Sequence, residues 1–337
     1  MTGSGYLRIL SFLLMITEIA QQIAAKLRQA RRVLLIPGTH PDGDSISSTS
    51  AMFLYLKMHG VPASIFSAIN PPESLLFLPH ADESRTDTAI FHDETIDTIV
   101  VFDAGDLRYA GIADKIPLMP RRPVIINIDH HASNENFGDL NLVIKDAAAT
   151  TEVLYNFFRA INHPIHEDLA TCLLTGLMTD TDHFSNSATT ASAMAMASDL
   201  LVRGARLHVI RKNTQNNKSV TLLKLWGIAL ARLYYQPGAD AVITYLFQKD
   251  YESYGMTSQE VEGISDFMNK LGEGRYVLFL KETPDGQVKG SFRTTHDDVD
   301  VAKLALRLGG GGHKKAAGFT VPGRLEETDR GVKIVQK

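Results

Sequence analysis

Three short apolar runs in this chain each end directly in acidic or histidine side chains. VLLI (33–36) leads into GTHPDGDS, TIVV (98–101) into FDAGD, and VIIN (124–127) into IDHH. Runs this short, rich in Val and Ile and separated by stretches of helical apolar spacing, read as buried strands. Strands alternating with helices imply an α/β fold: a mostly parallel sheet with helices on both faces. In open sheets of this kind, ligands bind outside the carboxyl ends of the strands. Asp42 and Asp44, Asp103, and Asp129 with His130 and His131 are therefore expected on one edge, although they lie far apart in the chain.

The pattern extends along the chain. Residues 17–32 have helical spacing, a helix through AMFLYLKMHG closes at Gly60, and ASIFS (63–67) reads as a strand. TTEVLYNFFRAIN and EDLATCLLTGLMTD read as helices, the second ending in Asp180 and Asp182 followed by His183, and a further helix spans 191–203. The polar, basic stretch 204–219 reads as a linker. Beyond it AVITYLF, RYVLFLKE, GQVKGSFRT and GFTV read as strands, and EVEGISDFMNKL and VDVAKLALRLG as helices. The expected organisation is a larger domain over 15–203 and a smaller α/β domain over 220–337, with a cleft between them. Tyr155, Phe157, Phe158 and Trp226 lie in helical patterns and read as core.

Composition narrows the function. The net charge of −4 lacks the basic excess of proteins that wrap long duplex DNA, so a small substrate or a short strand is expected. The single cysteine, Cys172, can form neither an internal disulfide nor a thiolate zinc cluster; it reads as core in a cytoplasmic protein. The apolar stretch YLRILSFLLMIT near the N-terminus spans about twelve residues, short of the roughly twenty that cross a bilayer. No membrane association is expected. A start at Met15 would leave a clean N-terminal helix, so Met1 and Met15 both stand as candidate first residues.

Carboxylates and imidazoles without thiolates suit Mg²⁺ or Mn²⁺, and Mn²⁺ increasingly as histidines join. An aspartate bridging two such ions makes a clamp that activates water and neutralises a phosphoryl group. Singly, HPDGD reads as well as a turn with a capping aspartate, and FDAGD as loop chemistry. DHH at a strand end is the rarer signal, and the ordered recurrence of all three argues against coincidence.

DGDS with nearby His40, then FDAGD, IDHH and GLMTDTDHF, in this order, resemble the motifs of the DHH phosphoesterases, and GGGGHKKAAGF resembles their associated C-terminal domain. The resemblance covers about residues 16–321 and is greatest to the bifunctional oligoribonuclease and pAp-phosphatase (nanoRNase) group. It implies two Mn²⁺ ions, with Asp42 on the first, Asp44, His130 and Asp180 on the second, and Asp103 bridging. His131 would face the substrate and Asp129 would orient the histidines. One departure stands out: Gly38 occupies the place of the usual first-motif histidine, so either His40 serves as the ligand or the first site is weakened. Asp182 and His183 also depart from the usual pattern and read as surface residues.

In the C-terminal half, glycines 310, 311 and 312 let backbone N–H groups approach a phosphate closely, although a glycine run alone could be a flexible loop. The resemblance implies that Arg293, Gly310, Gly311, Gly312 and His313 bind the substrate across the cleft, a guanidinium being suited to a two-point phosphate clamp. Lys314 and Lys315 read as solubilising. The expected activity is metal-dependent hydrolysis of short oligoribonucleotides and of 3′-phosphoadenosine 5′-phosphate. Cyclic or linear dinucleotide hydrolysis and a non-turnover nucleotide-binding module are the alternatives. Inorganic pyrophosphatase shares the metal motifs, but the glycine-rich C-terminal domain argues against it. The resemblance also allows a homodimer.

Overall fold

The computed structural model describes residues 3–335 except 40, 216, 217, 259, 262, 270, 313 and 330, and only the backbone of 3–13 and 266. The chain divides into two compact units, residues 1–217 and 218–337.

The first unit opens with α1 (Gly3–Gln29), which runs through Met15 without a break and starts well before the expected residue 17. There follow β1 (Val33–Ile36), α2 (Gly43–Met58), β2 (Ala63–Ile65), β3 (Thr98–Phe102), β4 (Val124–Asp129), β5 (Leu140–Val143), α3 (Thr150–Ala160), α4 (Glu167–Asp180), α5 (Ala191–Val202) and α6 (Leu207–Thr214). The strands form one parallel sheet in the order β2-β1-β3-β4-β5. Alternation along each strand splits the core in two. Val33, Leu35, Val100, Phe102, Ile126 and Ile128 face the α-helices, whereas Leu34, Ile36, Ile99, Val101 and Ile125 face the opposite side.

That opposite side is covered by 3-10 turns and loops rather than by α-helices. Phe91 lies in the 3-10 turn Thr88–His92, and Ile116 opens another at Ile116–Leu118. Pro71, Pro72 and Pro79 punctuate the first part of the long β2–β3 connection and keep an α-helix from running through it. The expected linker, 204–219, contains α6, whose Ile210 is buried in the helical core.

Because β1, β3 and β4 are adjacent and parallel, their carboxyl ends lie side by side. The chain turns from β1 outward to β2 and then back to β3, so this edge is the topological switch point.

The second unit contains α7 (Val220–Ala231), β6 (Tyr234–Gln236), β7 (Ala241–Leu246), α8 (Gln248–Glu252), α9 (Ile264–Met268), β8 (Tyr276–Glu282), β9 (Gln287–Arg293), α10 (Val301–Leu306), β10 (Gly311–Gly312), β11 (Ala316–Pro322), β12 (Arg324–Thr328) and β13 (Gly331–Val335). Its sheet runs β10-β11-β9-β8-β7-β6, antiparallel except for β7–β8, and β12–β13 form a hairpin. Trp226 of α7 and Ile264 of α9 pack on one face; Val301 of α10 and Leu325 of the hairpin pack on the other. The helix expected over 260–271 is shorter, beginning only after Gly263 at φ +82°.

Two glycines let α2 and α4 approach closely. A Cβ at Gly43 would lie 2.3 Å from Thr179 Oγ1, and one at Gly176 would lie 2.4 Å from Thr151 Cγ2 and 2.5 Å from Asp44 Oδ1. Gly176→Ala is therefore expected to destabilise the first unit by about 1–3 kcal/mol. Gly227→Ala, in α7 with nothing within 4 Å, should stabilise the second by roughly 0.5–1 kcal/mol. Denaturant unfolding reads both changes. Wild-type stability in Gly176→Ala would remove the close-approach account.

Candidate metal centre

Each side chain at the switch point is held by a local device. Asp42 is the N-cap of α2: its Oδ1 accepts from the N–H of Asp44 at 3.1 Å and of Ser45 at 3.0 Å, and its own N–H donates to Ser45 Oγ at 2.9 Å. This is a reciprocal capping box. The turn reading and the ligand reading of HPDGD are thus compatible.

Asp44 is fully buried and caps a different helix. The start of α3 follows Ala149, which has no capping side chain. Asp44 supplies the acceptors instead: Oδ2 takes the Thr150 N–H at 2.6 Å, and Oδ1 takes the Thr151 N–H at 3.0 Å and its hydroxyl at 2.8 Å.

Asp103 follows β3 with φ +55°, a left-handed conformation that costs an L-residue about 1–2 kcal/mol. Its N–H extends the sheet to Ile128 O at 3.1 Å, and its Oδ1 accepts from Thr150 Oγ1 at 3.1 Å. His130 contacts the Ala147 carbonyl through Nδ1 at 3.1 Å. A carbonyl accepts only, so Nδ1 holds the proton, and Nε2 points to Asp180 Oδ2 at 3.3 Å and Asp103 Oδ1 at 3.5 Å. His131 Nδ1 contacts Asp129 Oδ1 at 2.8 Å. Asp129, fully buried, also accepts from the His130 N–H at 2.8 Å and from Asn134 Nδ2 at 2.5 Å.

The structure therefore gathers Asp42, Asp44, Asp103, Asp129, His130, His131 and Asp180 at one edge. Two clusters have the compactness of a cation site, Asp44–His130–Asp180 and Asp103–His130–His131, with ligand atoms within 4.8 Å of one another in each. His40 lies outside the described residues. Asp182 is exposed and His183 half-buried, in a turn where Asp182, His183 and Phe184 all have positive φ.

Sequence reasoning missed the supporting residues. Asn134 donates to Asp129 and pairs with Asn127 beneath it, and Thr150 and Thr151 bind Asp103 and Asp44. The signal available was the helix start AAATTE, which has no capping residue of its own and so calls for an acceptor from elsewhere.

The protein's own charges do not balance here. Burial and then the Asp103 charge push Asp44 up to about 7. The same causes, in the same order, raise Asp42, which sits on the exposed rim but is closely surrounded. Burial, then Asp44 and Asp103, raise Asp180 well above the carboxylate range. Burial opposes a charge on His130, yet the Asp103 contact and the charges of Asp44 and Asp180 push it up to about 10. Crowded carboxylates with a tautomer-fixed imidazole fit hard divalent cations, which would reverse these shifts.

In the second unit, Arg293 lies on β9 beside Lys289 and Ser291, on the sheet face shared with Phe279 and Lys281 of β8. With Ser265 they line a cavity of about 230 Å³ that has three cationic side chains and, among the described residues, no carboxylate. Lys281 is buried and donates to the carbonyls of Ser258 and Val261. The glycine run is not a loose loop, because Gly311 and Gly312 pair with β11. A Cβ at Gly310 would meet Gly318 O at 2.1 Å, so strand packing accounts for that glycine, while Gly311 is exposed with nothing within 4 Å. His313 lies outside the described residues. Among the described residues, no helix is long and apolar enough to cross a membrane.

Comparison with known proteins agrees with this arrangement. Residues 32–177 match the DHH family N-terminal domain and residues 239–337 the DHHA1 domain. The bifunctional oligoribonuclease and PAP phosphatase NrnA of Thermus thermophilus is 31% identical over 287 residues, 84% of this chain and 82% of the relative. The NrnA of Bacillus subtilis is 23% identical, over 88% of this chain and 91% of its own. The crystal structure of an exopolyphosphatase-related protein from Bacteroides fragilis shares the fold, with a TM-score of 0.82 at 21% identity and 90% coverage of both chains.

The electrostatics predict a pH-dependent response to metal. An Asp44 raised to about 7 holds a proton in the folded state that the unfolded chain has released. In the metal-free protein its contribution to stability is therefore lost as pH rises from about 4 through 7. A divalent cation bound by Asp44 would displace that proton, so the rise in melting temperature on adding Mn²⁺ should be larger at pH 8 than at pH 6. At free metal 100 times Kd, the stabilisation is about 2.7 kcal/mol. Asp103→Asn should raise the metal-free melting temperature by relieving repulsion and should reduce the response to Mn²⁺. A response of equal size at both pH values would contradict this account.

Proposed function

The chain belongs to the DHH family and is a phosphoesterase hydrolase, and on that footing we propose that it cleaves short oligoribonucleotides and 3′-phosphoadenosine 5′-phosphate with the help of two divalent cations. The observation that carries this reading is the Asp44–His130–Asp180 cluster, whose ligand atoms lie within 4.8 Å of one another, with the Asp103 carboxylate beside it and Asp42 at the rim. The NrnA relatives named for both activities supply the substrate class.

In this reading Asp44, Asp103, His130 and Asp180 hold cations, with Asp42 completing the set at the rim. Such ions, preferably Mn²⁺ given the imidazole, activate water and neutralise phosphoryl charge. The remaining steps belong to the chain. Asp129 and Asn134 fix the His131 ring by its Nδ1, so Nε2 is the atom presented to the substrate. From there it stabilises the phosphoryl oxygens or donates a proton to the leaving oxygen. Thr150 and Thr151 keep the carboxylates of Asp103 and Asp44 from turning away. In the second unit, the cavity lined by Arg293, Lys289 and Lys281 is suited to hold a phosphate group, the guanidinium in two-point fashion.

The test is Mn²⁺-dependent cleavage of a labelled five-nucleotide RNA and of 3′-phosphoadenosine 5′-phosphate, with Asp103→Ala and His130→Ala alongside. Both variants are expected to lose at least about a thousandfold in kcat, the scale of losing electrostatic stabilisation in a transition state. Arg293→Ala should mainly raise KM, as expected when ground-state and transition-state binding are lost equally. Turnover of neither substrate by folded, metal-loaded protein would reject the proposed substrates and direct attention to cyclic dinucleotides.

A further inference from the structure

The acidic edge of the metal centre includes an aromatic side chain that the chemistry above does not use. Tyr109 is 52% exposed, yet its backbone is fixed on both sides. Its N–H donates to Asp106 Oδ1 at 2.7 Å, and its carbonyl accepts from the Thr39 N–H at 3.0 Å. This ties the loop after β3 to the loop after β1.

The ring lies against Gly38. A Cβ built on Gly38 would be 3.8 Å from Tyr109 Cε1 and 3.5 Å from the Asp103 carbonyl. Those are ordinary contacts for a methyl group, so the phenol ring packs beside the position where the usual first-motif histidine would stand. The departure at Gly38 and the presence of Tyr109 are thus two sides of one packing arrangement.

The hydroxyl has no hydrogen-bond partner among the described residues. A phenol keeps its proton at neutral pH, so the hydroxyl can donate. A donor held on a rigid loop beside a carboxylate cluster, hydrated in the free protein, can exchange that water for an oxygen of an anion that arrives with the cations. We propose that Tyr109 is a substrate-binding residue whose hydroxyl donates to a non-bridging oxygen of the phosphate at the metal centre. This rests on the phosphoesterase reading above.

Tyr109→Phe removes only the hydroxyl, and Tyr109→Ala removes the ring as well. Calorimetric titration of Mn²⁺-loaded protein with inorganic phosphate measures the contact without turnover, and hydrolysis of 3′-phosphoadenosine 5′-phosphate follows in parallel. Loss of one hydrogen bond to a charged group should weaken phosphate binding and lower kcat/KM by about tenfold in Tyr109→Phe. Mn²⁺ affinity should stay within about twofold of wild type, the free-energy scale of a neutral surface change. Wild-type phosphate affinity in Tyr109→Phe would overturn the proposal, and a loss confined to Tyr109→Ala would assign the role to the ring instead. A matching loss of Mn²⁺ affinity would make the hydroxyl a metal contact, which also overturns it. Inactive wild-type protein that binds phosphate, with that binding weakened about tenfold in Tyr109→Phe, would count against the substrate reading and support this one.

Discussion

Carboxylates crowded at the ends of parallel strands, with one shared imidazole between them, are the constraint that organises the first unit. Asp44, Asp103 and Asp180 repel one another in a buried space, and His130 offsets them from within. Such an arrangement persists only if the surrounding structure holds it against the repulsion. The close α2–α4 approach through Gly43 and Gly176, the left-handed backbone at Asp103 and the Asp129–Asn134 bond all act in that direction. The parallel sheet supplies the frame, because adjacent parallel strands bring three separate loops to one edge without long excursions of chain.

The strands were readable because each is a short β-branched run that changes abruptly to polar residues, a contrast that survives without knowledge of the fold. The ligand candidates were readable for the same reason: they lie where the apolar run ends. What was not readable depends on distance in space. Asn134 sits in a polar loop that looks like any other, and only its bonds to Asp129 and Asn127 distinguish it. Tyr109 lies within a turn sequence and takes its meaning from Gly38, which comes from another loop. The turns covering the second face of the sheet leave no periodic signal, since a 3-10 turn is too short to show one.

In the second unit the glycine run looked like a phosphate cradle, and the structure gives part of it a different physical reason. Gly310 is small because a neighbouring strand passes too close for a side chain, whereas the exposed Gly311 faces no such limit. A glycine run therefore mixes two demands, and sequence alone cannot separate them. The cationic cavity beside Arg293 is formed by alternation across β8 and β9. Its members are two residues apart along each strand, a spacing that places them on one face once the strands are paired.

The double duty of Asp44 has a consequence for how a protein of this kind can diverge. Both of its oxygens anchor the first turn of α3, so a change there would unseat a helix as well as remove a candidate cation ligand. The inner half of the centre is thereby locked to the architecture. At the outer half Thr39 and Tyr109 are tied through their backbones, and the Tyr109 side chain, packed beside Gly38, anchors no helix among the described residues. Drift in sequence, and with it new substrate preference, has its open route along that rim.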